Sequence, residues 1–282
     1  MTIIEALTKA GAFLQAGNIE APAKEAGVLL AFLLERDVSY LYAHPETPLL
    51  PEILNKYTEI VQKRGEAMPF QYISSNQEFM SLDFHVNPHC LIPRPETEIL
   101  VEKALSWIEE KENRHSIRIL DIGTGSGAIA VSMAYYSKNT VIDALDLSDE
   151  ALKTAELNAK RYKVTDRINF IEADFLKWKA GNPYSLVLSN PPYIPHREIK
   201  NLMPGVRAYE PVMALDGGDD GLIFYHAIAD KIPGLLDEKG SVMVEVGLGQ
   251  SENVEYIFRE KGLTVSVLTD LAGIPRVVFG GN

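Results

Sequence analysis

From residue 117 onward, short apolar and β-branched runs alternate with helical stretches, and this alternation narrows the fold more than any other feature of the chain. Runs at 117–122, 140–146, 168–173, 185–190, 241–247, 263–269 and 276–280 read as strands, with helices between most of them. Strands separated by helices are joined by crossovers, so an α/β fold is expected, its seven-stranded sheet mostly parallel and covered on both faces. In such sheets ligands bind beyond the carboxyl ends of the strands. Strand ends are therefore where chemistry is to be sought.

The first 64 residues follow a helical period instead. Thr2 and Glu5 form a capping-box pattern, with Ile3, Ile4, Leu7 and Leu14 on one face and Gly17 as the stop. A second helix starts near Pro22 and carries Val28, Leu29, Phe32 and Leu33; a third covers about 39–43. The fourth begins at Pro51 and buries Ile53, Leu54, Tyr57, Ile60 and Val61. No chemical motif occurs here, which suits a small helical bundle for recognition or for support. Alternation at Phe79, Leu82, Phe84 and Val86, followed by Asn87-Pro88, reads as a β-hairpin linker over 79–93. The expected division is thus 1–78, 79–93 and 94–282.

Composition excludes several classes. Of 282 residues, 46% are hydrophobic and 23% charged, as in folded globular chains, and the longest apolar run, 26–34, is too short to span a bilayer. With no secretory pattern at the N-terminus and a single cysteine, Cys90, a reducing cytoplasmic setting is expected. His85, His89 and Cys90 lack a fourth ligand, and the run from Asp216 has Gly218 and Ala227 where a calcium loop needs ligands, so no metal is expected. Residues 1–78 carry 6 basic and 10 acidic side chains and residues 79–282 carry 21 and 29, for a net charge of −12. A chain acidic in both parts is poorly suited to gripping duplex DNA by its phosphates.

Four strand ends carry the candidate site. The first runs into Asp121-Ile122-Gly123-Thr124-Gly125-Ser126-Gly127 and then a helix, a loop that lets the backbone approach a nucleotide-type cofactor. Gly123, Gly125 and Ala128 also satisfy the dinucleotide fingerprint, so the loop alone does not choose between NAD and S-adenosylmethionine. The second strand ends at Asp146, placed to accept both hydroxyls of a ribose, and Ser148 caps the next helix. At the third end, Asp174 and Phe175 suit the exocyclic amine and flat face of adenine. The fourth ends in Asn190-Pro191-Pro192-Tyr193, where two prolines take the backbone out of the sheet in a stiff geometry. The Asn190 amide oxygen and the Pro191 carbonyl can each accept a hydrogen from a planar NH₂ group, with Tyr193 against it, which makes a clamp for an amide or aromatic amine.

In this order, these motifs resemble the class I S-adenosylmethionine-dependent methyltransferases that modify planar nitrogen. More narrowly, the chain resembles the release factor glutamine methyltransferases, the PrmC/HemK family. The resemblance also rests on Pro69-Phe70-Gln71-Tyr72-Ile73, Leu91-Ile92-Pro93-Arg94-Pro95-Glu96-Thr97-Glu98, Tyr209-Glu210-Pro211, Ala214-Leu215-Asp216-Gly217-Gly218 and Val244-Glu245-Val246-Gly247. It implies a Rossmann-like sheet, with Gly123 to Gly127 (Thr124 and Ser126 among them) under the methionine part of the cofactor, Asp146 on its ribose, and Asp174 and Phe175 at its adenine. It further implies that Asn190, Pro191, Pro192 and Tyr193 hold the glutamine of the Gly-Gly-Gln loop of class 1 peptide chain release factors. The N-terminal domain would help grip that partner, with neither membrane nor DNA involved. Three rivals stand beside this reading: an adenine methyltransferase sharing the clamp, a dehydrogenase that leaves the clamp unexplained, and a non-catalytic module.

Overall fold

In the computed structural model, which describes residues 1–111 and 116–281, the chain forms two units. The first comprises Met1–Ser75 together with Met203–Tyr209. Its helices are α1 (Ile3–Ala16), α2 (Pro22–Leu34), α3 (Val38–Ala43), α4 (Pro51–Gly65), α5 (Phe70–Ser74) and, far along the chain, α9 (Pro204–Tyr209). The Thr2 side chain accepts from the Glu5 N–H while the Glu5 carboxylate accepts from the Thr2 N–H, completing the capping box. Ile3, Ala6, Ala10 and Leu14 form the buried face of α1. Ile4 is 41% exposed, contrary to the expected face, because the inward stripe runs through the two alanines, which admit close neighbours. Likewise α2 buries Ala26, Leu29 and Leu30 and leaves Phe32 exposed. The Tyr57 hydroxyl of α4 donates to the Ala26 carbonyl (2.9 Å), satisfying its polar tip inside the bundle.

Residues 203–209, expected with the C-terminal part, group with the helices for a local reason. A Cβ at Gly205 would stand 2.8 Å from the Ala67 carbonyl oxygen, and the Tyr209 hydroxyl donates to the Glu66 carbonyl (3.1 Å). Neither α5 nor α9 has enough turns to show a period in sequence.

The second unit begins with the hairpin β1 (Asn76–Phe79) and β2 (Leu82–His85). This corrects the expected 79–93 hairpin. Met80 and Ser81 form its two-residue turn, both with positive φ, a geometry ordinarily signalled by Gly, Asn or Asp. Asn87-Pro88 makes a separate turn, closed by the Cys90 N–H on the Asn87 carbonyl (3.1 Å).

The sheet follows in the order β5-β4-β3-β6-β7-β9-β8, from β3 (Ile117–Ile122), β4 (Thr140–Asp146), β5 (Ile168–Glu172), β6 (Tyr184–Ser189), β7 (Leu236–Glu245), β8 (Thr264–Thr269) and β9 (Pro275–Gly281). β9 is the reversed strand, antiparallel to β7 and to β8, while the other neighbouring pairs of this sheet are parallel. Ile119, Leu186, Leu188 and Met243 face a core shared with α6 (Pro95–Glu109), α7 (Ala128–Tyr136) and α8 (Asp149–Arg161). Leu120, Val187, Val242 and Val244 face the opposite core, shared with α10 (Ile223–Leu235) and α11 (Ser251–Arg259). Burial on both faces explains why the central strands read as continuous apolar runs. From β3 the chain moves outward through β4 and β5, then returns to place β6 on the other side of β3. This reversal opens the crevice at the strand ends where ligands bind. Among the described residues no helix is long and apolar enough to cross a membrane.

Candidate active site

The loop after β3 is built from its own backbone. Its Gly123 and Thr124 N–H groups both donate to the Leu145 carbonyl at the end of β4 (2.8 and 3.0 Å), folding it across the sheet edge. Gly123 and Gly127 have φ of 73° and 80°, a region that favours glycine. A Cβ at Gly127 would lie 2.9 Å from Ala155 Cβ on α8, whereas one at Gly123 would meet nothing within 4 Å and would project into open space. Beneath the loop, buried Asp121 accepts from the Thr124 hydroxyl (2.7 Å) and the Ala130 N–H (3.2 Å) through Oδ2, while Oδ1 has no protein partner. Burial pushes its carboxyl up to about 7.

Asn158 of α8, fully buried, locks this loop to the hairpin. Its amide donates to the carbonyls of Ser126 (2.8 Å) and His85 (3.0 Å) and accepts from the His85 N–H (2.8 Å). The sequence reading missed it, although a polar side chain on a face shared with Ala151 and Ala155 is a detectable signal.

Asp146, at the end of β4, accepts from the Gly125 N–H (2.8 Å) and the Ser148 N–H (2.9 Å), one on each carboxylate oxygen. Burial raises its carboxyl above the usual range, against these hydrogen bonds. After β5, Asp174 accepts from the Leu176 N–H (3.0 Å) and pairs with Lys177 (2.9 Å), which holds its carboxyl below the usual range. Phe175 is buried, and the Lys231 ammonium lies 5.5 Å from its ring centroid while donating to the Trp178 carbonyl (3.0 Å).

The last strand end is held from a distance. Ser189 donates to the Ile122 carbonyl (2.8 Å), tying β6 to β3. Asn190 Nδ2 donates to the Thr97 hydroxyl (3.0 Å), which in turn donates to the Glu245 carboxylate (2.5 Å). Burial pushes the Glu245 carboxyl up to about 7. The Tyr193 carbonyl accepts from Gln250 Nε2 (2.9 Å), and burial together with nearby Glu245 pushes the Tyr193 hydroxyl up to about 12. A Cβ at Gly217 would lie 2.8 Å from both the Pro192 carbonyl oxygen and Tyr193 Cα, so a glycine lets the 216–221 segment back onto this turn. Arg94 pairs with the buried Glu210 (2.5 Å), and Glu98 accepts from the Met80 N–H (2.6 Å), so the charges flanking Thr97 stitch its helix to neighbouring segments.

These ends surround one cavity of about 270 Å³. Of the residues singled out from sequence, Gly123, Gly125, Asp146, Asp174, Phe175, Asn190, Pro191 and Pro192 line it. Thr124, Ser126, Gly127 and Tyr193 do not; they brace the walls through the contacts above. Wall residues that sequence reasoning missed include Leu147, Met213 and Phe224. Met213 and Phe224 come from the stretch between β6 and β7, where the sequence offered no period to place them.

Comparison with known proteins agrees with this architecture. Family models match the PrmC N-terminal domain over residues 5–74 and the methyltransferase small domain over residues 97–204. The chain is 36% identical to a release factor glutamine methyltransferase of Clostridium acetobutylicum, over 99% of this chain and 98% of that protein. It is 38% identical to one from Moorella thermoacetica, over 98% and 97%. Among solved structures, a methyltransferase from Pyrococcus furiosus (TM-score 0.52, 16% identity, 78% of this chain and 98% of that one) shares the fold. So does the hMettl16 catalytic domain in complex with an RNA hairpin (TM-score 0.55, 15% identity, 70% and 74%). With full-length identity at this level and the four strand ends gathered around one cavity, the chain belongs to the release factor glutamine methyltransferase family.

Proposed function

We propose that this chain transfers the methyl group of S-adenosylmethionine to the side-chain amide nitrogen of the glutamine in the Gly-Gly-Gln loop of class 1 peptide chain release factors, in the cytoplasm. The observation that carries the reading is Asn190, which lines the cavity beside Pro191 and Pro192 while Thr97 engages its NH₂ group. That leaves Oδ1 as the acceptor for a substrate amide.

The residues present fit the cofactor. Asp146 keeps carboxylate lone pairs over after accepting two backbone N–H groups, enough for ribose hydroxyls. Phe175 and Leu147 offer apolar walls for a base, and the open space at Gly123 admits a tail close to the backbone. When bound, S-adenosylmethionine supplies a methyl group on a positively charged sulfur.

An amide nitrogen is a poor nucleophile because its lone pair is delocalised into the carbonyl. Alignment is therefore the main contribution: well-oriented reactants recover roughly 7–11 kcal/mol, against ~1 kcal/mol net for an ordinary hydrogen bond. Asn190 Oδ1 and the Pro191 carbonyl accept the two amide hydrogens and aim the nitrogen. Taking up the methyl group, whose bond to the cofactor's sulfur would break with the electron pair left on a then neutral sulfur, makes the nitrogen positive, and the same two oxygens stabilise it before the proton passes to water. Tyr193 braces the turn from behind. The helical unit, with Phe13, Tyr42 and Leu50 exposed, supplies apolar surface for gripping the release factor.

Mass spectrometry of an unmodified class 1 release factor, incubated with this protein and S-adenosylmethionine, tests the reading. One added methyl on the Gly-Gly-Gln peptide is expected. An untouched release factor beside methylated adenine in a parallel DNA sample would overturn the substrate.

A further inference from the structure

Glu245 and Thr97 lie outside the cavity lining, yet they form a chain that ends on Asn190. Glu245 is the last residue of β7, Thr97 sits in the first turn of α6, and Asn190 follows β6. Glu245 is 3% exposed and Thr97 4%. A carboxylate between Val244 and Val246, inside a core where an apolar side chain would cost nothing, is an expensive choice unless its charge is used.

The use follows from hydrogen-bond direction. The Thr97 hydroxyl donates to the Glu245 carboxylate, and a threonine hydroxyl has only one hydrogen. Thr97 therefore spends that hydrogen on Glu245 (2.5 Å) and presents lone pairs to Asn190, which must turn its NH₂ group toward them (3.0 Å). Reversing the polarity would point the NH₂ into the cavity, donor against the substrate's own donor. The Tyr225 hydroxyl donates to the Glu245 main-chain carbonyl (2.9 Å) and fixes the strand end from which the chain starts. Burial and the nearby Glu96 raise the Glu245 carboxyl, while the Thr97 hydroxyl, Arg276 and Arg94 act the other way and favour its ionised form.

We infer that Glu245 and Thr97 are positioning residues that set the direction of the Asn190 amide, so that its oxygen faces the substrate nitrogen. This inference rests on the reading that Asn190 accepts a hydrogen from the substrate amide.

The full chain is assayed with a class 1 release factor for kcat and KM, alongside S-adenosylmethionine affinity by calorimetry and the thermal midpoint. Thr97→Val, which keeps shape and removes the hydroxyl, is expected to lower kcat roughly ten- to hundredfold with cofactor affinity unchanged. Thr97→Ser, which restores the hydroxyl, is expected to stay within about threefold of the parent. Glu245→Gln, whose amide can donate as well as accept and so lets the chain reverse, should lower kcat by about tenfold without weakening the cofactor. Normal kcat in both Thr97→Val and Glu245→Gln, with Asn190→Ala inactive, overturns the inference and leaves the clamp standing. Normal turnover in Asn190→Ala overturns the clamp reading itself. A Thr97→Ser variant as impaired as Thr97→Val, or losses matched by equal losses of cofactor affinity and thermal midpoint, would reduce the chain to structural packing and overturn it also.

Discussion

The two sides of the cavity are built in opposite ways. On the glycine-loop side, Asp121 reaches Thr124 three residues away and Ala130 nine away, and the more distant Leu145, Asp146 and Asn158 hold the loop through its backbone groups. At the Asn190 end, the amide reaches Thr97 across 93 residues and Thr97 reaches Glu245 across 148. A surface made of backbone depends on which side chains are absent; a clamp made of side chains depends on partners brought in by the sheet. The first has no room for an added atom at Gly127, and the second depends on each hydrogen bond in its chain.

Four substitutions separate these two designs. Asn190→Ala should have the largest effect, lowering methyl transfer by about a hundred- to thousandfold while cofactor affinity by calorimetry stays normal. Equal loss of both would erase the distinction between the sides. Gly127→Ala comes next: its Cβ would press on Ala155 from a backbone with positive φ, costing about 3 kcal/mol by urea denaturation. A fully stable Gly127→Ala protein would mean that the loop has room to spare. Asp146→Ala should weaken cofactor binding by about 2 kcal/mol, the worth of hydrogen bonds to a charged group, and an unchanged dissociation constant would remove the ribose assignment.

The smallest effect is a pH dependence. Asp121 titrates near 7 in the fold against an ordinary 3.8, so its favourable contribution is complete below about pH 4 and is lost as the pH rises through about 7. Relative to Asp121→Asn, the parent should lose about 1 kcal/mol between roughly pH 6 and pH 8 in urea titrations. A constant difference would show that Asp121 is ionised throughout.

The same contrast explains what was readable in advance. The strands 117–122 and 140–146 match their sequence runs to the residue, because the first is almost wholly buried, the second buries Thr140, Ile142, Ala144 and Leu145, and the turn residues are local. The hairpin turn was misplaced because Met80 and Ser81 adopt positive φ without the residues that ordinarily announce it. Ile4 and Phe32 looked like core and are exposed, since apolar spacing names a stripe but small residues decide which edge packs. Asn158 and Thr97 stayed hidden, one inside a helical period and the other beside charged neighbours at a helix start.

By itself, the sequence determined the alternating architecture, the glycine loop and the stiff Asn190-Pro191-Pro192 exit, because each depends on dihedral preferences and periods within a few residues. Only the tertiary structure decided that Thr97 and Glu245 converge on Asn190, that Asn158 joins the loop to the hairpin, and that Met213 and Phe224 close the cavity. Hydrogen bonds of that span exist only once the sheet has set the order of its strands, and no local pattern encodes that order.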